Sequence, residues 1–249
     1  MLSNNAFKAH GINYLSPSSI NTYISDPPMW VARYLFKAKS SSGAGAIRGI
    51  ASEFVLANKY KEGTFDYNML DMKFMTLCTE SMIDLGDKKT EKERSLLKNF
   101  GNIIDENFKY EDLEDYQEKV EVQLDDLPVP IMGYIDFRFK GKIVDLKTST
   151  RMPSQPTEAQ KRQMALYSMA YPKNSVDLFF ATPKEHKTFT LKNLTSYKKQ
   201  LEKVAYSIQR FLSISDDKHE LASFVYPNLD SWMWNGKMKE EAKKIWSIK

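Results

Sequence analysis

The segment "GYIDFRFKGKIVDLKTST", residues 133–150, constrains the chain more than any other. Apolar residues recur with a period of two on either side of Lys140-Gly141, the pattern of two strands joined by a tight turn. A two-residue turn, with Gly141 supplying a positive φ, pairs Phe139 with Lys142, Phe137 with Val144 and Ile135 with Leu146. The same register sets Asp136 opposite Asp145. Ile135, Phe137, Val144 and Leu146 then share one face, and Asp136, Asp145 and Lys147 the other. Opposed carboxylates in a ladder repel each other, so something must compensate. Spacing alone leaves two answers open. A hard divalent cation takes oxygen ligands and would hold the pair. A solvated outer face, with Arg138 and Lys147 as neutralising charges, would serve as well. A β-bulge would shift the register and break the pattern.

The flanking sequence places this hairpin in a mixed chain. "LSPSSINTYI" starts a helix, with Ser16 as N-cap and Pro17 at the first helical position. "DPPMWVARYLFKA" reads as a second short helix and "KSSSGAGAIRG" as a small-residue loop. Ile47, Ile50, Ala51, Phe54, Val55 and Asn58 follow helical spacing. Residues 62–90 are mixed and partly helical. "KTEKERSLLKNFGNIIDENFKY" predicts an amphipathic helix broken at Gly101. "YQEKVEVQL", "PIMGYIDFRF" and "KIVDLKTS" are consecutive strands. "TEAQKRQMALYSMAY" is a helix opened by a capping box of Thr157 and Gln160. "SVDLFFATP" and "KTFTL" are two more strands, and "NLTSYKKQLEKVAYSIQRFLSI" is a long amphipathic helix. The expectation is an α/β fold, a central mixed β-sheet flanked by helices. One domain over residues 1–249 is expected: a helical part to about 115, a core over about 116–192 and C-terminal helices over 193–249.

Composition narrows the function classes. The net charge of +4, from 36 Lys and Arg against 32 Asp and Glu, permits a polyanionic partner without demanding one. The single cysteine, Cys78, excludes an intramolecular disulfide framework and any cysteine-built zinc or iron–sulfur site. No apolar run suits a signal peptide or a membrane span, so no membrane partner and a cytoplasmic location are expected. There is no phosphate-binding G-x-x-x-x-G-K-[ST] loop, so a nucleic-acid motor is not expected.

Four pieces in order resemble a known family. "GYID" and "VDLKTS", followed by "QMALY" with Gln163 and Tyr167, look like the core of the PD-(D/E)XK nuclease superfamily, in its RecB-like and Cas4-like exonuclease branch. "GIASE", with Gly49 and Glu53, is similar to the branch's upstream helix. "LSPSSINTYISDPPMWVARYLF" is similar to its opening segment, although Asp26 stands where a cysteine is common. The resemblance implies a restriction-endonuclease-like core and metal-dependent hydrolysis of DNA ends, single-stranded or duplex, by Mg²⁺ or Mn²⁺. It implies that Glu53, Asp136, Asp145 and the Leu146 carbonyl bind the metal. Lys147 would orient or deprotonate the attacking water or stabilise charge on the phosphate. Gln163, Tyr167 and Arg48 would support the site or the substrate, and Gly49 would let its helix approach the sheet.

The resemblance also implies no iron–sulfur cluster here, since the cysteines that bind it in many members are missing. Trp232 and Trp234 fall where late cysteines would stand and are expected to pack the C-terminal segment, with stacking on single-stranded nucleic acid as the alternative reading. Lys237, Lys239, Lys243 and Lys244 are candidates for phosphate contacts. The expected setting is bacterial or phage DNA recombination, replication or repair, with a partner protein from those processes. The alternative is a catalytically inactive nucleic-acid-binding protein of the same fold. Each residue also has a plainer reading: Glu53 as a solvated helix charge, Tyr167 as core, Gln163 as a cap on a strand end, Lys147 as half of a structural ion pair.

Overall fold

The computed structural model describes residues 5–39 and 42–248. A short helix, α1 (Ala6–Ala9), precedes α2 (Pro17–Ser25). Ser16 and Ser19 close a capping box at the start of α2, and Pro17 occupies its first turn. Asp26 ends α2 and caps α3 (Pro27–Trp30), which passes directly into a π-helical turn, Val31–Leu35. Ser40 and Ser41 of the expected small-residue loop lie outside the described residues. α4 (Ala44–Glu62) begins inside that stretch and stops at Gly63 in the left-handed region, φ +82°.

α5 (Tyr67–Glu80), α6 (Lys88–Ser95) and α7 (Leu97–Asn107) follow. The expected break at Gly101 falls instead at Leu96, the boundary of α6 and α7. Gly101 sits inside α7 because a methyl group there would lie 2.9 Å from Tyr67 Cε1 and 3.1 Å from Phe65 Cε1. The glycine answers to packing, not to helix termination.

The strands are β1 (Leu113–Val122), β2 (Ile131–Phe139), β3 (Lys142–Thr148), β4 (Ser175–Ala181) and β5 (His186–Leu191). They form one sheet in sequence order, antiparallel except for the parallel pair β3–β4. α8 (Glu158–Ala170) makes the crossover that a parallel pair requires, and Thr157 and Gln160 form its expected capping box. α9 (Thr195–Leu212), α10 (Lys218–Ser223) and α11 (Gly236–Ile245) complete the chain.

Two apolar clusters sandwich the sheet. On one side Ile131, Ile135 and Ile143 pack with Met164, Leu166 and Tyr167 of α8 and Leu201, Ala205 and Ile208 of α9. On the other, Phe137, Phe139, Val144 and Leu146 pack with Ala51 and Val55 of α4, Phe74 of α5 and Phe100 of α7. Residues 62–115 therefore cover this second face. At about 25 cal/mol per Å² of apolar surface removed from water, these two layers supply the main driving force for the fold.

The hairpin turn holds: Gly141 takes φ +72°, and Phe139–Lys142 and Phe137–Val144 pair as expected. The face assignment holds for Phe137, Val144 and Leu146 but not for Ile135. Ile135 belongs to the α8 side and Phe137 to the opposite side, so the alternation of β2 slips by one residue at Asp136. The β2–β3 ladder also ends at Phe137–Val144, so neither Ile135–Leu146 nor Asp136–Asp145 forms a ladder pair. β3 instead stays paired with β4 along its whole length, from Lys142–Ser175 to Thr148–Ala181. The sheet splits between the first half of β2 and the second half of β3. At the far end of that split Leu15 bridges Ile131, with Leu15 N–H donating to Pro130 O at 3.0 Å.

Candidate active site

Asp136 stands on β2 where the sheet splits, and its carboxylate fills part of the missing ladder. Asp136 Oδ2 accepts the Leu146 N–H at 3.1 Å, a backbone donor that the shortened ladder leaves without a strand partner. Asp145, wholly buried, points to the α8 side, where Gln163 Nε2 donates to its Oδ1 at 3.2 Å. Gln163 also lies 2.8 Å from Tyr167 Oη, and Tyr167 donates in turn to the Tyr134 carbonyl of β2. Gln163 and Tyr167, one helical turn apart, thus tie α8 to both edges of the split. Tyr167 is at the same time core, 1 % exposed.

Lys147 Nζ lies 2.7 Å from Asp145 Oδ2. That oxygen is buried and accepts no directed hydrogen bond, so the ion pair is what compensates it. Glu53 reaches the same space from α4. Gln117 Nε2 lies 3.4 Å from Glu53 Oε2 and 3.4 Å from Asp136 Oδ1, spanning the two carboxylates. Gln117 can do this because it sits between the Tyr116–Phe137 and Glu118–Ile135 pairs and takes φ +53°. The sequence reading missed it. The left-handed backbone that re-aims its side chain is unusual for a non-glycine residue and leaves no mark in composition.

The electrostatics follow from crowding. Burial raises the Asp136 carboxyl well above its ordinary range; Asp145 and Glu53 add to this, and Lys147 and the Leu146 N–H oppose it. Burial pushes Glu53 up to about 7, with Lys147 opposing and Asp145 adding. Burial disfavours the Lys147 charge, but Asp145, Asp136 and Glu53 outweigh it and raise its pKa. Lys147 is therefore the charge that three carboxylates share.

Glu53, Asp136, Gln117, Gln163 and Tyr167 line a cleft of about 520 Å³, with Tyr14, Ser18 and Asn21 on its N-terminal wall and exposed Tyr134 at its mouth. Arg48 is not brought to the cleft. It is buried, ion-paired with Glu93, hydrogen-bonded to the Thr148 hydroxyl at 3.3 Å and carbonyl at 3.2 Å, and stacked 4.2 Å from the Phe100 ring centroid. It fastens α4 to the end of β3. Gly49 faces Thr148 Oγ1 at 3.4 Å from a built methyl, an ordinary contact, so the approach of α4 does not itself demand glycine.

Among the described residues no group of three or more His, Cys, Asp or Glu side chains is placed so as to hold a metal ion. The donor type nonetheless suits a hard divalent cation: the Glu53 and Asp136 carboxylates line the cleft, and Asp145, paired with Lys147, stands beside them.

Trp234 is 2 % exposed and packs with Met29, Ala32, Met238 and Ala242, as the sequence led us to expect. Its indole N–H donates to Asp26 Oδ2 at 2.9 Å, joining the N-terminal helices to the C-terminal segment. Trp232 behaves differently and is 82 % exposed. No helix among the described residues is long and apolar enough to cross a membrane.

Comparison with known proteins agrees with this geometry. A solved structure titled "Putative exonuclease", from Eubacterium rectale, matches with a TM-score of 0.54 at 13% identity, covering 93% of this chain and 89% of its own. At that identity the likeness is one of fold, a mixed sheet flanked by helices as in restriction-endonuclease-like proteins. The crystal structure of SSO0001 matches with a TM-score of 0.35 at 12% identity, covering 77% of this chain and 83% of its own. No curated protein matches the chain. The family model for the PD-(D/E)XK nuclease superfamily, whose members generally use divalent metal ions, matches residues 14–230, and the chain belongs to that superfamily.

Proposed function

We propose that this nuclease is a divalent-metal-dependent deoxyribonuclease that degrades DNA from its ends, as in the RecB-like and Cas4-like branch, with Mg²⁺ or Mn²⁺ as the working ion. The observation that carries the proposal is the gathering of Glu53, Asp136, Asp145 and Lys147 where the sheet splits, beside an open cleft. Asp136 and Asp145 would hold the ion, with Glu53 joining from α4. The Leu146 carbonyl is suitably placed, since the N–H and C=O of one strand residue point to the same side and the N–H already faces Asp136. Such an ion supplies a water of lowered pKa and neutralises charge on the reacting phosphate.

The remaining roles belong to the chain itself. Lys147, ion-paired with Asp145 beside the cleft, would donate to the attacking water or to a phosphate oxygen. Gln163 holds Asp145 Oδ1, so that Oδ2 stays directed towards Lys147. Tyr167 fixes Gln163 and the β2 backbone at once. Gln117 holds Glu53 and Asp136 in register with each other. Holding reactants at such fixed distances is worth several kcal/mol of barrier.

End-labelled linear and circular DNA, single- and double-stranded, incubated with Mg²⁺, Mn²⁺ or EDTA, test the reading. Cutting of linear DNA that stops in EDTA and spares circles is the expected result. Cutting that persists in EDTA contradicts the metal dependence, and digestion of circles contradicts the end requirement.

A further inference from the structure

A second cavity, of about 260 Å³, lies further along α2 from the catalytic cleft. Thr22, Ser25 and Met29 form one wall, and Trp232 and Lys237 the other, with Arg33 and Lys39 also lining it. A shallower groove continues from it past Arg33, Tyr34, Lys37 and Lys39. No acidic side chain lines either space. Among the described residues Arg33, Lys37, Lys39 and Lys237 make no ion pair, whereas Lys243 and Lys244 of α11 are engaged by Glu240 and Glu241. Four cations without counter-charge mark a place for a polyanion.

Trp232 adds a second kind of information. The other three tryptophans are buried or half-buried, and two of them donate their indole N–H to chain acceptors. Trp232 presents an 82 % exposed ring over a cation-lined cavity. An aromatic face beside basic side chains is the combination that holds a single strand, with the base on the ring and the phosphate on the cations. Nothing in the fold requires a large apolar ring there.

The spacing also fits. Ser18 lines the catalytic cleft, and Thr22 and Ser25 line the second cavity. These are four and seven residues apart on one helix, about 6–10 Å along its axis. That span is a few nucleotides at most, given the roughly 3.4 Å per nucleotide of a stacked strand. We infer that Trp232, with Arg33, Lys39 and Lys237, forms a secondary subsite for single-stranded nucleic acid, holding a nucleotide of the same strand close to the bond in the catalytic cleft. The inference rests on the nuclease reading of that cleft.

The test uses the full chain and oligo(dT) of twelve nucleotides. Binding is followed in EDTA by intrinsic tryptophan fluorescence and by anisotropy of an end label. The expected result is quenching in the wild type that vanishes in Trp232→Phe while affinity is largely kept, because the phenyl ring still stacks. Trp232→Ala weakens binding by roughly 5- to 100-fold. Arg33→Ala with Lys39→Ala lowers the salt dependence by about 1.4 in the log–log slope. Inorganic polyphosphate, which has charge but no bases, competes poorly. Unchanged affinity and quenching in Trp232→Ala overturns the subsite, as does polyphosphate competing equally well. So does a wild type that does not bind the oligonucleotide. Cleavage by the wild type in Mn²⁺ is scored separately on the same oligonucleotide and on linear duplex DNA: its absence on both refutes the nuclease reading, whereas cleavage of the oligonucleotide with an indifferent Trp232→Ala refutes the subsite alone.

Discussion

Asp136 Oδ2 accepts the backbone N–H of Leu146 at 3.1 Å, so one carboxylate both closes a broken ladder and stands in the cleft. The two tasks separate by substitution. Asp136→Ala leaves a buried N–H without an acceptor and should destabilise the protein by about 1–3 kcal/mol. Asp136→Asn keeps an oxygen for that N–H and should be clearly more stable than the alanine variant in urea. Both variants should lose activity, by about 10²-fold or more. Equal stability of the two would show that the Leu146 contact contributes nothing.

The crowded carboxylates make stability depend on pH in an unusual direction. Glu53, pushed up to about 7, titrates near 4.5 in the unfolded chain. Between those values the folded state binds more protons than the unfolded state, so stability is fully present below about 4.5 and falls as pH rises through about 7. The metal-free protein should lose of order 1–2 kcal/mol across this window, after discounting for partial exposure of the side chain. Glu53→Gln should flatten the profile. Saturating Mn²⁺ should reverse the loss, because ligands must be deprotonated to bind and affinity therefore rises with pH. Thermal melts from pH 4.5 to 8, with EDTA or Mn²⁺, read this directly.

Asp26 and Trp234 form the tie between the two ends of the chain. Asp26 Oδ1 caps α3 through the Met29 N–H at 2.9 Å while Oδ2 takes the Trp234 indole. Trp234→Phe keeps most of the packing but leaves Oδ2 without its donor and should lower stability by about 1–3 kcal/mol. Trp234→Ala also opens a cavity and should lower it by about 3–5 kcal/mol. Urea titrations of the two variants check the order.

Gly101→Ala is a case in which helix propensity misleads. Alanine is favoured in a helix interior by about 1 kcal/mol. Here its methyl would stand 2.9 Å from the Tyr67 ring and 3.1 Å from Phe65. Overpacking should win and destabilise by about 1–3 kcal/mol. A rise in melting temperature would refute the contact.

Features governed by local chemistry were legible in the sequence. Ser16-Pro17 and the Thr157–Gln160 box fixed their helix starts, and Lys140-Gly141 fixed the turn. The family motif and its order were legible too. What was not legible depends on partners distant in sequence. The ladder stops at Phe137–Val144 as the two strands diverge, β2 staying paired with β1 to Ile131 and β3 with β4 to Thr148. The facing slip at Asp136 and the left-handed Gln117 arise from the same distortion, and a strict period of two cannot anticipate it. Arg48 is committed to Glu93 and Thr148, which only tertiary structure reveals. Gln117 spans Glu53 and Asp136, while Gln163 and Lys147 hold Asp145, across a split sheet and not as a ladder pair.

The central claim is that these carboxylates and Lys147 form the hydrolytic site. It is tested most directly by cleavage rates on end-labelled linear DNA in Mn²⁺ for the wild type, Asp145→Asn and Lys147→Ala, with DNA affinity measured in EDTA alongside. Rates lower by about 10²-fold or more in both variants, with affinity within about threefold of wild type, are predicted. Cleavage by either variant at the wild-type rate would contradict the account.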